Sequence, residues 1–356
     1  MPLQRLHLEN FRLFQDKTFT FSDGINLILG ENGSGKTTVL EALNVVLTGN
    51  SFRAKETKEC INSDKEFYNV SAKGIMKGKD LSLVVENNHN KRLLSKRMLG
   101  GIPIKKGELY FLQVVLAKNL NMIDGEPEIR RGFFNDLMFH VKPEIKKLHS
   151  AYQKALKQRN RSLKKRLSSS EVSTWSNELS TLGLKLSLEQ YNFFKVFKEH
   201  TLKSIEKNIA NGSFNYLDNL SVTFSKGWER SKKLEESLLE SLERDMALGY
   251  TSKGPHRMDY TFTVTNKKAS SNLSRGQLKI LILLVFLSSM NLLKDLTDTE
   301  ILLMIDDLGS ELDFRNLTSI VIKILESENQ IILTGIEGEE MHKSFKKMTN
   351  FTKINI

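Results

Sequence analysis

At 356 residues, with 39% hydrophobic and 27% charged content, the chain is long enough for two or three cores of ordinary size and has the make-up of a globular protein, not a disordered or membrane one. A single cysteine, Cys60, excludes an internal disulfide and reads as a small buried hydrophobe in a reducing, cytoplasmic setting; the seven histidines are scattered without zinc-ligand spacing. The net charge of +11 points to a polyanionic partner, nucleic acid ahead of an anionic membrane, while the longest apolar run, residues 280–287, is too short to cross a bilayer and the N-terminus has no signal layout.

From Leu3 to about Val115 the pattern predicts short strands with one helix. Residues 6–11 alternate, 25–29 form a compact apolar run ending at glycine, and 68–74 and 81–86 alternate again. Between the apolar run and a helix over 38–43 lies Gly30-Glu31-Asn32-Gly33-Ser34-Gly35-Lys36-Thr37, which fulfils the phosphate-loop pattern G-x-x-x-x-G-K-[ST]. The glycines free main-chain N–H groups to surround phosphates, Lys36 reaches the β- and γ-phosphates, and the Thr37 hydroxyl suits Mg²⁺. Gly30, Asn32, Gly33, Ser34, Gly35 and Thr38 complete the expected ATP-binding set.

Helix signals dominate from about 128 to 211. Residues 144–167 predict a long basic helix, the serine-rich stretch 168–174 a break, and 175–209 a second helix with Leu179, Leu182, Leu186, Tyr191 and Phe194 at helical spacing. Neither arm sustains a heptad pattern, so a helical hairpin inserted into an α/β body is expected, not an extended coiled coil. The first arm carries Lys146, Lys147, Lys154, Lys157, Arg159, Arg161, Lys164, Lys165 and Arg166, nine cations against the single Glu144, a net +8. A merely solvated face mixes signs. Lys146, Lys147, Lys157, Arg159, Lys164 and Lys165 are therefore the candidate contacts to DNA phosphates, sequence-independent and steeply salt-sensitive, with an inert charged face as the alternative. Lys55, Lys58, Lys91, Arg92, Lys96 and Arg97 form a second basic patch; Trp175 and Trp228 read as core anchors.

The last third returns to α/β character, with strands over 221–224 and 260–264, a buried helix over 276–293, and apolar runs at 301–305 and 330–334 short enough to be central strands. Gly254-Pro255-His256-Arg257 reads either as a structural turn or as a fixed turn presenting His256 and Arg257 to nucleotide or DNA. The run at 301–305 ends in Asp306-Asp307, which suits a Mg²⁺-holding acid followed by one that orients water; a plain sheet edge is the bland alternative. Leu273-Ser274-Arg275-Gly276-Gln277 opens the buried helix and, alone, is equally a capped helix start. The expected domains are 1–120, an inserted helical arm at 121–245, and a return of the ATPase head at 246–356.

Leu273 to Gln277 resembles the L-S-x-G-Q signature of ABC-type ATPases, and Ser310-Glu311-Leu312-Asp313 matches the turn that follows the acids in that superfamily. The opening Leu6-His7-Leu8-Glu9-Asn10-Phe11-Arg12 looks like that of SMC/RecF-type members. Stretches at 49–53, 125–136, 157–160 and 251–259 are similar to the RecF branch in particular. The resemblance implies an α/β ABC-type head with mixed sheets and a mainly helical second domain. It also implies a weak ATPase of recombinational repair and replication-fork maintenance that forms ATP-dependent homodimers on gapped or junction DNA. RecR and RecO are the implied partners, helping to load the recombinase. Carried onto these residues, it gives Asp306 and Thr37 to Mg²⁺, Asp307 to catalysis, Gln113 to Mg²⁺ and water, Ser274, Gly276 and Gln277 to the nucleotide of a second copy, and Arg12 to a place near the base. Three positions depart from the pattern. Thr334 and Gly335 stand where a γ-phosphate-sensing histidine is usual, so slow hydrolysis is expected or Thr334 takes its place. Residues 116–118 replace the usual Ser-Pro-Glu, and Met258 replaces an acid. The nucleotide-binding subunit of a transporter is the alternative, opposed by the long basic insert; a small-molecule kinase lacks the signature.

Overall fold

Alternating burial builds β1 (Leu3–Phe11), which pairs antiparallel with β2 (Phe14–Thr20), anchored by Phe14 and Phe19. Then come β3 (Ile25–Leu29), buried at every position, and α1 (Lys36–Thr48). β4 (Phe67–Met76), β5 (Lys79–Asn88), β6 (Leu94–Leu99) and β7 (Ile102–Pro103) continue antiparallel, followed by β8 (Phe111–Val115). The helical region holds α2 (Asn121–Asp124), α3 (Pro127–Val141), α4 (Ile145–Lys164), α5 (Ser169–Ala210), β9 (Leu220–Ser225), α6 (Leu234–Glu240) and α7 (Leu242–Leu248). It goes on through β10 (Asp259–Val264), β11 (Lys267–Lys268), α8 (Ala269–Asn272) and α9 (Arg275–Leu296). The chain ends with β12 (Ile301–Ile305), α10 (Phe314–Leu325), β13 (Gln330–Gly335) and β14 (Phe351–Asn355). This computed structural model describes residues 3–88, 94–105, 111–115, 121–210, 212–336 and 351–356. Lys91, Arg92 and the 116–118 stretch lie outside the described residues.

Two compact units result: Met1–Asn119 with Asp298–Ile356, and Leu120–Thr297. In the first, an antiparallel sheet in the order β2-β1-β4-β5-β6-β7 and a parallel sheet in the order β14-β3-β13-β12-β8 share one core with α1. Apolar residues point from α1 to both sheets, so the helix is buried almost all round, as a helix without a polar face must be. The central strands β3, β13 and β12 are buried throughout, which is why their sequences are continuous apolar runs with no alternation. Gln330 ties the two sheets: its amide accepts from Leu3 N–H and donates to Leu3 O and Ser22 O.

The second unit differs from expectation at its far edge, which lies at Thr297 and not at 245. The physical reason is α9, which packs on α5 and α3 and brings the signature stretch into the helical unit; β9, β10 and β11 form its own small sheet. α9 is long and apolar enough by composition to span a bilayer, yet it is a core helix, buried from Leu278 through Ser289 without a break. The serine-rich break is also not one. Ser168 N–H and hydroxyl both donate to the Glu171 carboxylate (3.0 and 2.7 Å), and Val172 N–H returns to Ser168 O, so the stretch is the capped first turn of α5. At 42 residues α5 runs about 63 Å.

Candidate nucleotide site

The phosphate loop hangs between β3, at the centre of the parallel sheet, and the N-terminus of α1. Gly33 (φ 84°) and Gly35 (φ 104°) take left-handed backbone, and a Cβ on Gly35 would meet the Phe14 ring at 2.7 Å, so that position admits only glycine. Lys36 is buried and its ammonium curls back to donate to Gly30 O (2.8 Å) and Glu31 O (2.6 Å). Beside it the buried Ser34 hydroxyl has no hydrogen-bond partner among the described residues. Asn32 is exposed and Thr38 buried.

Thr37 and Asp306, 269 positions apart, are brought together: the Thr37 hydroxyl donates to both carboxylate oxygens, at 3.1 and 3.0 Å. Asp306 N–H is held by Val115 O at the end of β8. Thr334, buried at the end of β13, donates to Asp306 Oδ1 (2.7 Å) and accepts from Asp307 N–H (2.8 Å), so one hydroxyl braces both acids. Asp307 lies beyond the strand in left-handed backbone (φ 52°). The turn therefore aims its side chain, and the expected pleat alternation with Asp306 does not apply. Ser310 donates to Asp307 O, and Asp313 caps α10 by accepting from Asn316 N–H. The set fits a magnesium-chelated triphosphate: helix N–H groups and an ammonium for phosphate oxygens, a hydroxyl and a carboxylate as hard oxygen donors for Mg²⁺. Gln113 lies on β8 opposite Leu303; its side chain is outside the described set.

Arg12 departs from its expected place near the base. Its guanidinium donates twice to Glu41 (3.1 and 2.8 Å) and once to Glu59 O, bracing α1. Glu41 is fully buried and also accepts from Ser51, with Arg53 at 3.7 Å. Burial alone would push the Glu41 carboxyl up, but hydrogen bonds from Arg12 and Ser51 and the charges of Arg12 and Arg53 bring it below its ordinary value. This acid was missed in the sequence; its signal was a lone carboxylate in the apolar run of α1. It also explains Gly49 to Arg53, which supplies Ser51 and Arg53 to the clamp. Cys60 sits against Glu41, its thiol pushed up to about 12 mainly by burial and so chemically quiet.

In the second unit Ser274 caps α9. Its hydroxyl oxygen accepts from Gln277 N–H, and the Gln277 amide oxygen accepts from Ser274 N–H, a reciprocal capping box. Ser274 and Arg275 are exposed, and Gly276 keeps the first turn thin.

On α4, Lys146, Lys147, Lys154, Lys157, Arg161, Lys164 and Lys165 are exposed and fall in an arc of about 100°, opposite the buried Ile145, Tyr152, Leu156 and Leu163. Arg159 is not among them, and the expectation that it meets DNA is corrected. It is fully buried, donating to Asp245 (2.8 Å), Thr251 (2.7 Å) and Ser176 (2.9 Å). Its neighbour Asn160 accepts from Thr251 N–H and hydroxyl. The turn at 254–257 is structural: Tyr152 donates to His256 Nδ1 (2.6 Å) and His256 Nε2–H donates to Thr251 O (3.0 Å). Burial lowers the His256 imidazole to about 4, so the ring is neutral and this pair of bonds sets its tautomer. Gly254 (φ 139°) leaves room for the Tyr152 hydroxyl. Met258 is buried, and its carbonyl accepts from Arg131. Arg130 forks onto Asp259 (2.8 and 2.9 Å), joining two more of the stretches singled out by resemblance. In the other basic patch Lys58 is paired with Glu56 and Arg97 is half-buried.

Residues 5–248 match the family model described as an AAA domain. Among curated proteins the chain is 31% identical to the DNA replication and repair protein RecF of Teredinibacter turnerae, over 96% of this chain and 90% of that one. It is 29% identical to RecF of Pseudoalteromonas translucida, over 96% and 93%. Among solved structures it is similar to the recombination mediator protein RecF bound to ATP in the RecFOR pathway (TM-score 0.77, 22% identity, 95% and 92% covered). It is also similar to an Smc head bound to the C-winged helix domain of ScpA (TM-score 0.55, 14% identity, 96% and 91% covered).

Proposed function

The chain belongs to the RecF family of DNA replication and repair proteins, and from that premise we propose that it is a DNA-binding ATPase in which bound nucleotide closes two copies on DNA. The observation that carries the reading is the Thr37–Asp306–Thr334 cluster beside the Lys36 loop. Lys36 leaves the Gly30 and Glu31 carbonyls for β- and γ-phosphate oxygens, and α1's first N–H groups ring the phosphates. Thr37 and Asp306 hold Mg²⁺, which supplies charge neutralisation at the phosphates. Asp307 orients and deprotonates the attacking water, with Gln113 beside it. Thr334 stands in for the missing histidine by fixing both acids. It brings no ionisable proton, so hydrolysis is slow.

The phosphate loop belongs to the first unit and the signature cap to the second, and Ser274, Gly276 and Gln277 reach the nucleotide of a second copy. ATP then joins two protomers and hydrolysis releases them. The α4 stripe meets DNA phosphates at gaps and junctions without reading bases, and RecR and RecO are the partners through which the recombinase is loaded. A transporter subunit has no use for a one-sided cationic stripe on an inserted arm.

Sedimentation of wild-type and Asp307→Asn protein, with and without ATP and gapped DNA, tests the reading. The variant should bind ATP and accumulate as a DNA-bound dimer. An Asp307→Asn protein that stays monomeric with ATP refutes the two-copy site.

A further inference from the structure

Unit 2 carries a groove that neither the nucleotide motifs nor the basic helix uses. It lies between α5 and β9 and encloses about 610 Å³. One wall is a ledge of Leu184, Leu188 and Tyr191, at i, i+4 and i+7 and so on one face of α5. These three are 46%, 60% and 48% exposed, an apolar stripe left in water on a helix whose opposite face is in the core. The spacing of Tyr191 suggested a core position; it instead faces the groove. The floor is firm. Phe224 packs 5.8 Å from the Tyr191 ring, and the buried Trp228 donates its indole N–H to Lys232 O.

The charge over this apolar floor has one sign. Lys198, Lys226 and Arg230 line the groove, and no Asp or Glu does. Lys226 donates to the carbonyls of Arg230 and Lys232, not to a carboxylate, and stands 4.6 Å from the centre of the Trp228 ring. Its loss of water lowers its pKa, a cost that a nearby anion would relieve. The neighbouring acid, Glu229, is engaged by Ser231 and Lys232. Arg230 donates to Phe224 O.

We propose that this groove docks an acidic peptide segment of a protein partner, its aliphatic or aromatic side chains held between ledge and floor and its carboxylates on Lys198, Lys226 and Arg230. Recognition rests on side chains, because Arg230 already holds the Phe224 carbonyl that an added strand would seek. Rigid aromatic walls with cations at the rim are the chemistry of interface hot spots. Single-stranded nucleic acid fits less well. Two of the three ledge residues are leucines, which give a base no face to stack on, and the long cationic track lies on α4.

The test pans a display library of random ten-residue peptides against the full chain with ATP and then measures anisotropy of the enriched peptides. Enriched sequences should combine two or more acids with aliphatic or aromatic residues, and their affinity should fall with salt. Leu188→Glu and Arg230→Glu should each weaken binding tenfold or more with unchanged thermal midpoint, since both side chains are exposed. Enrichment of neutral or basic peptides, no enrichment, or affinities untouched by both substitutions overturns the proposal. Labelled oligo-dT measured on the same variants decides the other class: a tenfold loss there with Leu188→Glu assigns the groove to nucleic acid and also overturns it.

Discussion

At the scale of single residues, the most consequential side chain in the first unit is Thr334, whose one hydroxyl touches both acids. Thr334→Val keeps the shape and removes a charge-assisted bond of about 1.5–3 kcal/mol, so kcat for phosphate release should fall at least tenfold while ATP affinity stays within about twofold. Thr334→Ser should restore most of it. A change in KM alone would mean that Thr334 only shapes the ground state. His256 makes a different prediction, about pH. Its folded value, about 4, lies below the ordinary 6.5, so between those values the unfolded chain binds the proton and the folded one does not. Stability should therefore be full at pH 7, fall by up to about 3 kcal/mol as pH drops toward 4, and level off below. Urea midpoints at pH 7 and 5 check this: wild type should lose more than His256→Gln.

At the scale of elements, α4 separates two kinds of cation. Reversing Lys157, Lys164 and Lys165 to Glu should weaken DNA binding and flatten its salt slope by roughly three units, read from titrations at several salt concentrations. An unchanged slope places the DNA elsewhere. Arg159→Ala should act on the fold instead, leaving the buried Asp245 carboxylate unpaired at a cost of about 3–5 kcal/mol, seen as a lower thermal midpoint with the salt slope retained. Counting charges along α4 could not distinguish these roles. Helical phase could: Arg159 falls on the face of Tyr152, Leu156 and Leu163. The start of α5 was equally legible, because Ser168-Ser169-Ser170-Glu171 has the spacing of a capping box, and the serine count obscured it.

At the scale of the molecule, the proposal makes a second copy part of the site. Ser274→Arg puts bulk and charge at the exposed cap of α9 and leaves the Lys36 loop untouched. ATP binding should stay within about twofold, while the ATP-dependent dimer disappears from sedimentation profiles. Loss of ATP binding would make the signature stretch a structural cap and nothing more. The stretches singled out by resemblance outside the nucleotide motifs mostly serve the interiors of the units. Gly49 to Arg53 clamps Glu41, Asn160 holds Thr251, and Arg130 forks onto Asp259.

Local order along the chain determined the phosphate loop, the acid-ended strand, the helix-start signature and the inserted arm. Each is written in residues adjacent or at a fixed helical or strand spacing, and backbone geometry turns such spacing directly into shape. Tertiary structure alone decided which partners meet. Thr37 and Asp306 are 269 positions apart and Arg159 and Asp245 are 86 apart, and no local rule pairs them. Burial decided the rest. The energy of a cation or a hydroxyl depends on the water it loses and the groups it gains in exchange, and both are set by elements distant in the chain. For that reason Arg159 and Lys157, two residues apart on one basic helix, end in opposite environments.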